Sequence, residues 1–135
     1  MTHLLFVYGT LLQPGSGLAQ YLISNSTYLN TGYVKGTLYD IGEYPGLIIN
    51  EEPGRVYGSI YEISHEALKQ IDDYEGYGPD QDEPNLYIRL MMPVETTNGI
   101  TYAWVYVYNL SVDNLQMISS GNYMEYIAQK KSPGL

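Results

Sequence analysis

The stretch Val56-Tyr57-Gly58-Ser59-Ile60-Tyr61-Glu62-Ile63-Ser64-His65-Glu66-Ala67-Leu68-Lys69-Gln70-Ile71-Asp72-Asp73-Tyr74-Glu75-Gly76 reads as a strand running straight into a capped helix. Val56 to Ile63 is rich in apolar and aromatic residues, as a strand with a buried face should be. Ser64 is a good N-cap, Glu66 puts an acid in the first turn, and Leu68 and Ile71 give the helix an apolar face. The helical pattern stops between Tyr74 and Gly76. Glu75 therefore sits at a helix end, between aromatics and just before glycines. Two readings stand for it. It is a solvated residue of a C-terminal turn, or a half-buried carboxylate whose pKa is raised toward the range useful for proton transfer. Asp72 and Asp73 are expected on the solvated face, adding at most a small like-charge effect on Glu75.

Working outward, Leu4 to Tyr8 is a short apolar run stopped by Gly9, the pattern of a buried strand entering a tight turn. Pro14 to Gly17 reads as a loop, and Leu18 to Ile23 as a short helix with Ser16 as its cap. Tyr28 to Asp40 is expected to be one strand bent or bulged at Gly32 and Gly36. Gly42 to Gly46 is turn chemistry before a short strand, Leu47 to Ile49, and Pro53-Gly54 marks another turn. Gly78 to Asn85 is a polar loop. Leu86 to Val94 and Ile100 to Asn109 form a hairpin across Thr96-Thr97-Asn98-Gly99, with Tyr102, Trp104, Tyr106 and Tyr108 on one face. Ser119 to Lys130 is predicted to be a helix.

Several strands carry apolar or aromatic residues on both faces. That pattern favours a single α+β domain over residues 1–135: a small mixed-strand, barrel-like sheet flanked by two or three helices, with an open sheet as the alternative. The net charge of −9, without any local cluster of the 6 basic residues, argues against nucleic acid and anionic membranes as partners. The chain contains 0 cysteines, which excludes disulfides, thiolate metal sites and a cysteine nucleophile. His3 and His65 are far apart in sequence, so no metal site is expected. No targeting or membrane-spanning segment is legible, which points to the cytoplasm. The 16 tyrosines suit either half-buried strand positions or a core that opens onto a polar cavity.

Tyr8-Gly9-Thr10-Leu11 has its own chemical possibility. A glycine directly after a buried strand lets successive backbone N–H groups point into one concavity, where they bind a carboxylate or an oxyanion. An ordinary turn explains the same residues. A carboxylate without a metal suggests proton transfer at Glu75, and a two-carboxylate glycosidase is an alternative use of such acids. Arg89 is either a ligand for a substrate carboxylate or a strand arginine satisfied by acidic neighbours.

Seven segments in order resemble the gamma-glutamylcyclotransferase-like family, which includes gamma-glutamylamine cyclotransferases and the avirulence-induced proteins of plants. They are Val7-Tyr8-Gly9-Thr10-Leu11, Gly42-Glu43-Tyr44-Pro45-Gly46-Leu47, Val56-Tyr57-Gly58-Ser59-Ile60-Tyr61-Glu62, Ile71-Asp72-Asp73-Tyr74-Glu75-Gly76, Tyr87-Ile88-Arg89, Ala103-Trp104-Val105-Tyr106 and Ser120-Gly121-Asn122-Tyr123. The resemblance implies a barrel-like fold with a cavity at one end. It puts the family's substrate-binding loop on Tyr8, Gly9, Thr10 and Leu11, its general acid/base on Glu75 and a pocket tyrosine on Tyr87. Tyr44 and Pro45 are expected to edge the cavity. The long acidic stretch from Tyr77 to Asn85 departs from many relatives and is placed where it can shape the cavity mouth.

The implied reaction needs no cofactor. The substrate is a small gamma-glutamyl amide whose own α-amine attacks the γ-carbonyl and closes a lactam, giving 5-oxoproline and a free amine. The alternatives are a non-catalytic small-molecule binding or interaction domain on the same fold, and an acyl-transfer enzyme that removes a gamma-glutamyl group from a larger amine. The sequence specifies neither the leaving amine nor the oligomeric state.

Overall fold

A computed structural model describes residues 2–9, 17–42, 44–49, 54–75, 77–79, 84–85 and 87–131. In chain order the elements are β1 (Thr2–Val7), α1 (Gly17–Asn25), β2 (Ser26–Lys35), β3 (Thr37–Asp40), β4 (Pro45–Ile48), β5 (Arg55–Ser64), α2 (His65–Glu75), β6 (Tyr87–Thr96), β7 (Gly99–Tyr108), β8 (Gln116–Ile118) and α3 (Tyr123–Lys131). Strands β1-β5-β2-β6-β7 close into a barrel, and β4-β3-β8 form a second sheet. The pairings are antiparallel except β1 with β7, which is parallel. The α+β barrel flanked by helices is the architecture expected from the two-sided strands.

Alternation along the strands builds two cores. Phe6, Val34, Val56, Ile60, Val94 and Val105 fill the barrel. Leu5, Val7, Leu22, Ile63, Leu68 and Ile71 fill the layer between the barrel and α1 and α2. β1 serves both: Phe6 points inward, while Leu5 and Val7 point at the helices. Both faces of β1 are thus buried, which explains its unbroken apolar run.

α2 begins as its sequence predicts. The Ser64 Oγ accepts the Ala67 N–H at 3.2 Å, the N-cap bond that satisfies an otherwise orphaned donor. The hairpin β6–β7 also follows the sequence, with Thr96 opposite Gly99 at the turn.

Three expectations are corrected. The single strand Tyr28 to Asp40 divides at Gly36, whose N–H turns away to the Gly54 carbonyl (3.1 Å), and its halves enter different sheets. Its bulge falls between Tyr28 and Asn30, not at Gly32. The C-terminal helix starts at Tyr123 rather than Ser119, and β8 precedes it. Gly121 has a φ of 67° that breaks any helix, its carbonyl accepts the Tyr57 N–H at 2.9 Å, and Asn122 caps α3 through Glu125 N–H at 3.0 Å. The tight packing at Gly121, where a Cβ would lie 1.7 Å from the Arg55 carbonyl oxygen, locks this turn onto β5.

Candidate active site

α2 delivers Glu75 as its last residue. A helix stripe explains the aim of the side chain: Leu68, Ile71, Asp72 and Glu75 recur at helical spacing, and Leu68, Ile71 and Asp72 are buried against the barrel. Glu75 is only half-buried as a residue, but its carboxyl faces a pocket at the end of β1. Burial, reinforced by the negative charge of Asp72, pushes the Glu75 pKa up to about 7. At neutral pH the carboxyl is therefore poised to take or give a proton.

Aromatic side chains pinned by hydrogen bonds form the pocket walls. Tyr8 follows β1 directly and is 6 % exposed. Its hydroxyl donates to the Tyr106 carbonyl at 2.5 Å and accepts the Leu47 N–H at 3.3 Å, tying β1 to β7 and β4. Tyr87, the first residue of β6, donates its hydroxyl to the Pro45 carbonyl at 2.5 Å. Its ring lies 6.1 Å from that of Tyr44 and 5.6 Å from that of Tyr108. Burial holds the Tyr8, Tyr87 and Tyr106 hydroxyls far above the ordinary phenol range, so they act as neutral hydrogen-bonding groups.

Gly9 closes the wall against the Tyr44–Pro45 turn. A Cβ at Gly9 would stand 2.5 Å from Pro45 Cγ, so it is close packing that demands glycine here. The pocket is narrow, with a free volume of about 20 Å³, room for about one water molecule.

Asp72 corrects the sequence reading: it is 8 % exposed and not on the solvated face. Tyr106 donates its hydroxyl to Asp72 Oδ1 at 2.6 Å, and Arg89 Nε lies 3.1 Å from the same oxygen. The Arg89 Nε–H misses hydrogen-bond alignment, so the pair is an ion contact and not a directed bond. The guanidinium also stacks over Trp104, 4.3 Å from the ring centroid. Asp73 is exposed, as expected.

The structure brings Tyr8, Gly9, Glu75 and Tyr87 to one pocket, edged by Tyr44 and Pro45. Arg89 does not line it; the arginine sits behind it, on Asp72. Thr10 and Leu11 lie outside the described residues, as does most of the acidic stretch after Gly78. Sequence reasoning missed two participants, Tyr106 in the wall and Asp72 behind it. The signal for Asp72 was the stripe it shares with Leu68 and Ile71. Among the described residues, no group of three or more candidate metal ligands occurs, and no helix is long and apolar enough to cross a membrane.

A family model described as gamma-glutamyl cyclotransferase, AIG2-like, matches residues 5–125. The chain belongs to this family. Among curated relatives, the gamma-L-glutamyl-butirosin B gamma-glutamyl cyclotransferase of Niallia circulans is 38% identical over 106 residues, covering 78% of this chain and 66% of that one. The crystal structure of YkqA from Bacillus subtilis superposes with a TM-score of 0.77 at 30% identity, over 99% of this chain but 44% of that one. The solution structure of ytfP from Escherichia coli matches with a TM-score of 0.66 at 28% identity, covering 92% of this chain and 98% of that one. The chain thus spans less than half of YkqA and about two thirds of the butirosin enzyme, while ytfP is a family member of nearly the same extent.

Proposed function

We propose that this cyclotransferase family member converts a gamma-glutamyl amide to 5-oxoproline and a free amine, with Glu75 as general acid/base. The observation that carries the reading is the Glu75 carboxyl, tuned by burial to a pKa of about 7 and aimed into a pocket walled by Tyr8, Gly9 and Tyr87.

The substrate supplies its own nucleophile, so the enzyme needs orientation and proton transfer more than reactive side chains. Holding the γ-glutamyl chain folded supplies much of the rate, because well-oriented intramolecular attack has a very large effective molarity. Ionised Glu75 takes a proton from the substrate α-ammonium. The amine nitrogen then bonds to the γ-carbon, and the carbonyl electrons move onto the γ-oxygen. As that oxyanion collapses, the bond to the leaving nitrogen breaks, and protonated Glu75 returns its proton to that nitrogen. A second proton moves in the same direction as the lactam nitrogen becomes neutral. The books balance: the α-nitrogen loses two protons and the departing amine gains two. A single carboxyl with a pKa near the working pH serves both directions.

Among the described residues, the backbone N–H of Gly9, which lines the pocket, is the donor assigned to the γ-oxygen or the α-carboxylate. The butirosin relative is named for gamma-L-glutamyl-butirosin B, which makes a gamma-glutamyl conjugate of that kind part of the candidate substrate class here. The test is incubation with a panel of gamma-glutamyl amides, large and small, read by 5-oxoproline release with Glu75→Gln as control. Release that requires Glu75 supports the proposal. No release from any amide, with binding retained, favours a non-catalytic binding domain.

A further inference from the structure

Asp72 is a carboxylate that the proposed chemistry does not use, yet it lies one helical turn before Glu75 on the same buried stripe. Burying an aspartate is unfavourable, and an apolar residue of similar size would pack α2 against the barrel at least as well. Two other strands nonetheless bring polar partners to it. Tyr106 Oη–H reaches Asp72 Oδ1 at 2.6 Å, Arg89 Nε stands 3.1 Å away, and Trp104 supports the guanidinium from 4.3 Å. Tyr106 itself lines the pocket, and its backbone carbonyl receives the Tyr8 hydroxyl at 2.5 Å. A continuous set of contacts therefore runs from Arg89 through Asp72 and Tyr106 to Tyr8.

We infer that Asp72 is a positioning residue for Glu75, anchoring the last turn of α2 to β6 and β7 and presenting its negative charge to the acid/base one turn on. This rests on the reading of Glu75 as the proton carrier. Asp72 touches no reacting atom in this scheme and acts through Glu75.

The neighbours fix the sign of the effect. Glu75 is faced by Asp72 from its own helix, Tyr8 from the end of β1, Tyr87 from β6 and Tyr106 from β7. The tyrosines are neutral at working pH, so Asp72 supplies the charge that opposes Glu75 ionisation. Asp72 in turn is faced by Tyr106, Arg89, Asp73 and Lys69. Burial is the larger cause of the raised Glu75 pKa and the Asp72 charge adds to it, while Arg89 partly cancels that charge.

The experiment follows the Glu75 side-chain carboxyl by carbon-detected NMR titration in the full chain without substrate. Asp72→Asn keeps an oxygen that accepts from Tyr106 but removes the charge. The Glu75 midpoint is expected to fall by about one pH unit, and the acid limb of kcat/KM to fall with it. Arg89→Gln, which leaves Asp72 uncompensated, is expected to move the midpoint the other way, and it carries the test alone if Asp72→Asn does not fold. A purely structural Asp72 would lower thermal stability and leave the midpoint where it is. Folded variants whose midpoints stay within about 0.2 unit of wild type would overturn the inference. Because the titration needs no turnover, it stands apart from the panel assay: absent 5-oxoproline release would sink the proposed reaction and leave the titration result readable.

Discussion

β6 has a cavity near each end, and the two could hardly differ more. Near its start, Tyr87 helps to enclose the narrow pocket of about 20 Å³ that holds Glu75. Near its finish, Glu95, Thr96 and Thr97 edge a groove of about 580 Å³ with Tyr33, Tyr57 and Met124. The larger space has the weaker chemistry. Its Tyr33 and Tyr57 rings pair 5.9 Å apart at the surface, and Arg55 lies over the Tyr33 ring. The small pocket has a desolvated carboxyl with a second acid behind it. Reactive potential follows from how a group is desolvated and paired, and volume is a poor guide to it.

The sharpest break of this comparison is a pair of isosteric substitutions. Glu75→Gln is expected to lower kcat for 5-oxoproline release about a hundredfold or more, while Glu95→Gln leaves it within about twofold. Steady-state kinetics on both variants decide it, and comparable losses would erase the distinction between the two ends. Next in size, Gly9→Val drives its side chain into Pro45, where even a Cβ would lie 2.5 Å from Cγ. Overpacking of this kind costs about 1–3 kcal/mol, and KM should rise as the wall shifts. An unchanged KM would make the loop a structural feature only.

A third prediction concerns stability. The folded Glu75 pKa of about 7 exceeds the 4.5 of a freely solvated glutamate. Between those values the folded chain binds more protons than the unfolded one, so Glu75 makes the fold less stable as pH rises through that window. Glu75→Gln should therefore melt higher than wild type above about pH 7, by on the order of 1–3 kcal/mol for this half-buried residue, and the gap should close near pH 4.5. Denaturation series at both ends of the window read this directly. Equal stabilities throughout would mean that the carboxyl is not desolvated. The smallest contrast is between tyrosines. Tyr87→Phe leaves the Pro45 carbonyl without its buried donor and should cost about 1–3 kcal/mol, whereas Tyr57→Phe, 41% exposed, should stay within about 0.5 kcal/mol of wild type.

What the sequence made legible was local. The Ser64 cap, the hairpin turn before Gly99 and the placement of Glu75 at a helix end all depend on neighbours a few residues away, and the structure has each of them. The barrel followed from strands with two apolar faces. What stayed hidden depends on register between distant strands. Arg89 sits opposite Tyr106 in the β6–β7 ladder, and this register gathers both on Asp72. A polar residue counted as solvated by its type is in fact buried because partners arrive from two other strands. The division at Gly36 was hidden for the same reason, since the bond that turns the chain goes to Gly54.

The most direct test of the central claim is the pH dependence of kcat/KM for 5-oxoproline release from the best gamma-glutamyl amide, from about pH 5 to about pH 9. The proposed role of Glu75 requires an acid limb falling tenfold per pH unit, with its midpoint at the Glu75 pKa of about 7, and no such limb in the residual rate of Glu75→Gln. A limb that persists with the same midpoint in Glu75→Gln would assign the proton transfer to another group and contradict the role given to this carboxylate.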